Sequence, residues 1–70
     1  KNLPKVYLAE CDHNEIKENM AICNDKNNKV GNLIKVTNLP NKSICLISTK
    51  KKNLNSPLKV RETNSYLDII

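Results

Sequence analysis

Hydrophobic and polar residues alternate most clearly between residues 31 and 48, in the run GNLIKVTNLPNKSICLIS. This period of two predicts β-strands at residues 33–38 and 43–48, because successive side chains of a strand point to opposite faces. Pro40 and Asn41 suit the second and third positions of a tight turn between these strands. The second strand is apolar on both faces, which favours a central strand or a strand of a closed barrel.

Shorter alternating stretches predict three more strands, at residues 5–10, 58–62 and 66–70. In the first of them Val6 and Leu8 share one face, and we expect that face to point into the core. The last stretch ends on two isoleucines, although free C-termini usually fray. We therefore expect this end to be fixed in a sheet or to continue into further chain.

Residues 12–23 are the one segment with helical periodicity. Asp12 can cap the first turn, and Glu15 follows three residues later, as in a capping box. Three side chains recur at helical spacing and would line one buried face: Ile16, Met20 and Cys23. The pattern predicts a short helix, followed by an Asn-rich loop over residues 24–32.

These elements predict one small domain over residues 1–70. It is mostly β, a small barrel or sandwich of about five short strands, with one short helix near the N-terminus. A chain of 70 residues without Phe or Trp has a small aliphatic core. Such a core leaves no room for a deep substrate cavity, so we expect neither a small-molecule substrate nor a cofactor. The chain begins at Lys1 rather than Met, and we expect a processed product or a piece of a longer chain.

The net charge is +5, with 12 basic and 7 acidic residues, and this balance favours acidic partners. Six basic residues are candidates for a binding surface: Lys42, Lys50, Lys51, Lys52, Lys59 and Arg61. A bias of the source genome toward Lys, Asn and Ile is the alternative explanation for this composition. Aromatic residues for base stacking are nearly absent. No stretch is long and apolar enough to predict a membrane span.

Three cysteines leave three alternatives: one disulfide with a free thiol, three free thiols, or an intermolecular bond. Our interpretation leans toward a secreted or envelope location and leaves these three thiol states open. Cys11, His13, Cys23 and Cys45 are donors that zinc accepts, but they include no Cys-x-x-Cys pair, so no metal site is predicted. His13 could act as an acid or base, or pair with Cys11. Its place in the first helical turn favours a solvated side chain, so no catalytic residue is predicted.

The residues around the central turn also carry a family pattern. They are Val30, Gly31, the alternating residues 33–37, Asn38, Leu39, Asn41, Lys42, Ser43 and Ile44. Over residues 30–48 the chain resembles rare lipoprotein A-like domains, and this resemblance implies a double-psi β-barrel and an activity that cleaves peptidoglycan glycan strands. The family's catalytic His falls on Asp25 here, and its Asn-Asp pair falls near Thr49 and Lys50. The resemblance thus implies a relative without the catalytic residues.

Three functions remain open at this point. The first is a non-catalytic binding or assembly module whose basic surface contacts a larger protein partner. The second is a small basic protein of ribosomal type that associates with RNA. The third, which depends only on the resemblance, is an enzyme of the rare lipoprotein A type that acts on cell-wall glycan.

Overall fold

The chain forms a closed barrel of six antiparallel strands, and a computed structural model describes residues 3–70. The strands are β1 (Lys5–Cys11), β2 (Ala21–Cys23), β3 (Lys29–Asn38), β4 (Ser43–Thr49), β5 (Leu58–Val60) and β6 (Ser65–Ile69). Their order around the barrel is β1-β4-β3-β2-β5-β6, and β6 closes against β1. The prediction of a small, mostly β barrel is confirmed, with six strands rather than five.

The β3–β4 hairpin and β1 form the longest paired part of the barrel. β3 and β4 pair from Asn38 and Ser43 beside the turn to Gly31 and Thr49 at the far end. The turn closes through a hydrogen bond of 2.7 Å from the N–H of Leu39 to the carbonyl of Lys42. β4 pairs with β1 along its other edge. Because both its edges are paired and alternate residues are buried, β4 is the barrel strand that its two apolar faces predicted.

The predicted helix over residues 12–23 is wrong. Residues 12–20 form an irregular loop, and residues 21–23 form β2. Asn19 has a φ of 71°, in the left-handed region, which interrupts a right-handed helix. The only helical segment of the described residues is a short 3-10 helix, Lys51–Asn55, after β4.

Hydrogen bonds to β3 and β4 explain why the loop replaces the helix. The side chain of Ser43 donates to the carbonyl of His13 at 2.8 Å, and the amide of Asn38 donates to the carbonyl of Ile16 at 3.2 Å. These bonds satisfy carbonyls that a helix would have used within itself. Four of the nine loop residues are good helix formers, namely Glu15, Lys17, Glu18 and Met20, so the tertiary hydrogen bonds override intrinsic propensity here. The side chains that were predicted to line the buried face of the helix still point into the core, and Ile16 is only 1% exposed.

The side chains of β1 point the opposite way from the prediction. Val6 and Leu8 are 57% and 43% exposed, whereas Ala9 and Cys11 are buried. β1 is apolar on both faces, so alternation alone does not select the inner one. In the closed barrel the smaller pair lies inside, and Ala9 is opposite Cys45 of β4. By contrast, Leu58 and Val60 of β5 are buried as predicted.

The three cysteines are free and buried, so of the three alternatives the described residues show three free thiols and no disulfide. Each sulfur has a different partner. The thiol of Cys11 donates to the Ser65 hydroxyl at 3.3 Å, and that of Cys45 donates to the Ala9 carbonyl at 3.6 Å. The sulfur of Cys23 accepts a hydrogen bond from Nε of Arg61 at 2.9 Å.

Stability is expected to fall at alkaline pH through Cys45. Burial, with a smaller contribution from Cys11, raises the pKa of the Cys45 thiol from 9.0 to about 11. As the pH rises, the unfolded chain therefore loses this proton before the folded chain does. The protonated thiol contributes fully to the unfolding free energy below pH 9, and this contribution is lost as the pH rises to about 11. The loss is about 2–3 kcal/mol of unfolding free energy.

Urea unfolding at several pH values measures this effect. Cys45→Ala is the control, because it removes this thiol and leaves every other ionisable side chain in place. We expect a shallower fall in stability for Cys45→Ala than for the unaltered protein. Parallel curves for the two proteins would contradict the assignment to Cys45.

Candidate anion-binding site

Lysines gather at one end of the barrel because three strands begin or end there. Lys5 at the start of β1 pairs with Thr49 at the end of β4, and Thr49 pairs with Gly31 near the start of β3. The chain then enters the 3-10 helix. We call this end the basic rim and define it by five residues: Lys5, Lys29, Lys50, Lys51 and Lys52.

A cleft of about 330 Å³ opens within the basic rim. Three rim lysines line it: Lys29, Lys50 and Lys52. The other lining residues are uncharged: Pro4, Val30, Gly31, Asn32, Ser48, Thr49 and Asn53. None of these described lining residues carries a carboxylate. The cleft is therefore lined by lysines, by two side-chain amides and by the Ser48 hydroxyl, which are donors suited to an anion.

Thr49 fixes the wall of the cleft. Its side chain is buried, its hydroxyl donates to the carbonyl of Val30 at 2.7 Å, and the same oxygen accepts from the Asn53 amide at 3.0 Å. One hydroxyl thus joins β4 to β3 and to the 3-10 helix. These two hydrogen bonds hold β3, which carries Lys29, and the 3-10 helix, which carries Lys51 and Lys52, in fixed positions next to β4.

Thr49→Val is expected to lower the unfolding free energy by about 1–3 kcal/mol, because it leaves the Val30 carbonyl and the Asn53 amide without their partner. Valine has nearly the shape of threonine, so little packing is lost. Chemical unfolding measures the change. The control is Ser48→Ala, since the described structure gives the Ser48 side chain no hydrogen bond, and its effect is expected within about 0.5 kcal/mol. Equal effects of the two changes would contradict the role of Thr49.

Gly31 allows the strands to approach closely at the cleft. A Cβ atom at this position would overlap the carbonyl oxygen of Ser48 and lie 3.0 Å from the Cβ of Thr49. Both neighbours belong to β4, and the first is a backbone atom that cannot move without moving the strand. The only glycine of the chain thus lies in the cleft lining at a place where β4 leaves no room for a side chain.

The opposite end of the barrel is acidic. Glu10, Asp12 and Asp68 surround a second cleft of about 200 Å³. Lys42 also lines it and donates to a carboxylate oxygen of Glu10 at 3.3 Å, the one salt bridge in the described part of the chain. We call Glu10, Asp12 and Asp68 the acidic rim. The two clefts therefore differ in the sign of most of their charged residues, and the lysines of the basic rim make no salt bridge within residues 3–70.

The structure separates the six basic residues that composition singled out. Lys50, Lys51 and Lys52 lie on the basic rim, whereas Lys42 lies at the acidic rim. Lys59 pairs with Cys23 of β2, which also pairs with Lys29. Arg61 is engaged within the fold, because its guanidinium donates to the sulfur of Cys23 at 2.9 Å and to the Asn27 carbonyl at 3.3 Å.

Lys5 and Lys29 complete the rim, and the sequence prediction omitted both. Lys29 is far from Lys50 along the chain, and only strand pairing brings them together. The sequence did contain a signal for Lys29. If β3 and β4 pair residue by residue outward from the turn at residues 39–42, the start of β3 lies beside the end of β4.

The residues weighed for chemistry do not gather into one site. Nδ1 of His13 accepts a hydrogen bond of 3.1 Å from the N–H of Glu15, so this nitrogen stabilises the loop. The thiol of Cys11 is buried. Within residues 3–70 there is no group of three or more His, Cys, Asp or Glu side chains placed to hold a metal ion. In the same range, no helix has the length and apolar character to cross a bilayer.

The fold and cleft define a small closed antiparallel barrel with a cationic end. Comparison with protein-family models, curated proteins and solved structures gave no match. The resemblance to rare lipoprotein A-like domains stays a prediction.

Proposed function

We propose that this chain is a non-catalytic binding module that holds a larger anionic partner at the basic rim. The observation that carries the proposal is the cleft in which three lysines meet four neutral polar residues and no carboxylate. An anion placed there gains attraction from several ammonium groups at once. Lysines that already had carboxylate partners would have to give them up before binding, and the rim lysines have none within the described residues.

A binding role agrees with the way the polar groups are used. The buried hydroxyls of Ser43 and Thr49 donate to backbone carbonyls within the fold, those of His13 and Val30 respectively. The cleft contains donors, but it lacks, among its described lining residues, a carboxylate, imidazole or thiol that could move a proton. The chemistry offered to a partner is therefore attraction and hydrogen bonding.

The position of the acidic rim favours one orientation of the module on an anionic partner. The acidic rim lies at the other end of the barrel, where β1 ends and β4 begins. An anionic partner is attracted to one end and repelled from the other, and the local field favours one docking orientation.

Isothermal titration with tripolyphosphate at low ionic strength tests the proposal. This compact polyanion carries no base, sugar or side chain, so it reports on the anion-binding chemistry alone. We expect saturable binding that weakens as salt is added, because exposed charges are screened. Absence of saturable binding to tripolyphosphate, together with absence of binding to a poly-glutamate peptide, would overturn the proposed function.

A further inference from the structure

We propose that the partner at the basic rim is a double-stranded nucleic acid, contacted through its phosphate backbone without reading of the bases. This inference rests on the proposed function and names the class of partner.

The cations of the cleft suit contact with a phosphate backbone that does not involve reading of the bases. All of them are lysines, namely Lys29, Lys50 and Lys52. Lysine binds phosphate as a point charge, whereas the planar fork of arginine gives the paired hydrogen bonds that most often recognise the edge of a guanine. The one arginine of the chain, Arg61, is occupied by Cys23 and the Asn27 carbonyl.

The closed barrel argues against an acidic peptide. Extended peptides commonly bind by adding a strand to an exposed sheet edge. At the cleft, Gly31 and Asn32 of β3 pair with β2 on one edge and with β4 on the other, so this part of β3 offers no free edge. An acidic peptide would be held at the cleft mainly by its charge, and a flexible peptide loses conformational entropy when its charges are held.

The cleft also argues against a single strand. Proteins that bind single strands gain about 1–3 kcal/mol per base by stacking the bases on aromatic side chains. No aromatic residue is among the described lining residues of the cleft. Tyr66 is exposed but lies on β6, paired with Lys59, and Tyr7 packs against the core. In a duplex the bases remain stacked on each other, so a duplex loses no stacking energy when the protein offers no aromatic surface.

Charge density favours the duplex further. The rim crosses β1, β4 and β3, and neighbouring strands are about 4.8 Å apart, so its lysines extend over about 10 Å. A duplex offers about six phosphate charges along 10 Å of its axis. Several rim lysines can therefore meet phosphates at the same time, while the acidic rim points away from the duplex.

Fluorescence anisotropy with short labelled probes of equal length tests the inference. The probes are a mixed-sequence duplex, a second duplex of different sequence, the corresponding single strand, and a poly-glutamate peptide. We expect the two duplexes to bind equally within about twofold. Their affinity should fall with salt with a log–log slope between about −2.7 and −4.5, for contacts from three to five lysines. The single strand and the peptide should bind at least tenfold more weakly, which is about 1.4 kcal/mol.

Other outcomes of this experiment would contradict either the inference or the proposed function. Binding of the peptide or the single strand as tightly as the duplex would overturn this inference and leave the proposed function standing. A strong preference between the two duplexes would also overturn it, because backbone contacts carry no sequence information. Failure of every probe, tripolyphosphate included, would remove the proposed function as well.

Discussion

Gly31→Ala is expected to destabilise the barrel by about 3 kcal/mol or more, beyond the usual cost of overpacking. The new methyl group would overlap the Ser48 carbonyl oxygen and press on the Cβ of Thr49. Relief requires β3 and β4 to separate where they pair, since the nearest obstacle is backbone. A domain of this size has only about 3–5 kcal/mol of core stabilisation, so a large unfolded fraction is expected at 25 °C.

Circular dichroism during urea unfolding measures this change. Lys35→Ala is the matched control, because Lys35 lies on the same strand and is exposed. Its effect is expected within about 0.5 kcal/mol. A Gly31→Ala variant as stable as the Lys35→Ala variant would show that β3 and β4 do not approach each other at Gly31 as described.

The double change Lys50→Glu and Lys52→Glu is expected to have the largest effect on binding. Each lysine that contacts a phosphate contributes a charge-assisted hydrogen bond with a net value of at least about 1.5 kcal/mol. Loss of both therefore lowers affinity for a duplex about a hundredfold. Repulsion from the two new carboxylates adds to this loss. Stability should change little, because Lys52 is exposed and neither side chain makes a salt bridge within the described residues.

The matched control is Lys17→Glu with Lys35→Glu, which changes the net charge by the same amount. Lys17 lies in the loop of residues 12–20 and Lys35 lies on the outer side of β3, and neither lines the cleft. Anisotropy titrations of both variants separate local contact from overall charge. Equal losses for the two double variants would assign binding to net charge and remove the cleft from the account.

The strands were predictable where the two faces of a segment differ or a turn is marked. The turn of Pro40 and Asn41 fixed the hairpin of β3 and β4, and the alternation of Leu58 and Val60 fixed the inner face of β5. β1 shows the limit of the same argument. Tyr7, Ala9 and Cys11 lie on the inner side and Val6 and Leu8 on the outer side, and alternation alone does not decide between two apolar faces.

The helix prediction failed for a different reason. The spacing of Ile16 and Met20 correctly indicated burial, since Ile16 is in the core and Met20 packs against it. Periodicity does not reveal that Asn38 and Ser43 will bind the carbonyls of the same segment. Bonds between residues far apart in sequence decided the local conformation, and no local pattern encodes them.

The candidate site was partly predictable. The run Lys50 to Lys52 is visible in the sequence, and its exposure follows from mutual repulsion. Lys29 joins it only through the pairing of β3 with β4, and Lys42 lies at the acidic rim through its place in the turn. Composition therefore identified the kind of surface, whereas topology determined which lysines share it.

Amide NMR during titration with tripolyphosphate tests the central claim most directly, because it shows where an anion binds. The account predicts that the largest shift changes occur at Gly31, Asn32, Thr49 and Asn53, all of which line the basic cleft. Amides of Glu10 and Asp68 at the acidic rim should remain nearly unchanged. Shift changes that spread evenly over both rims, or that are largest at the acidic rim, would contradict a specific anion site in the cleft.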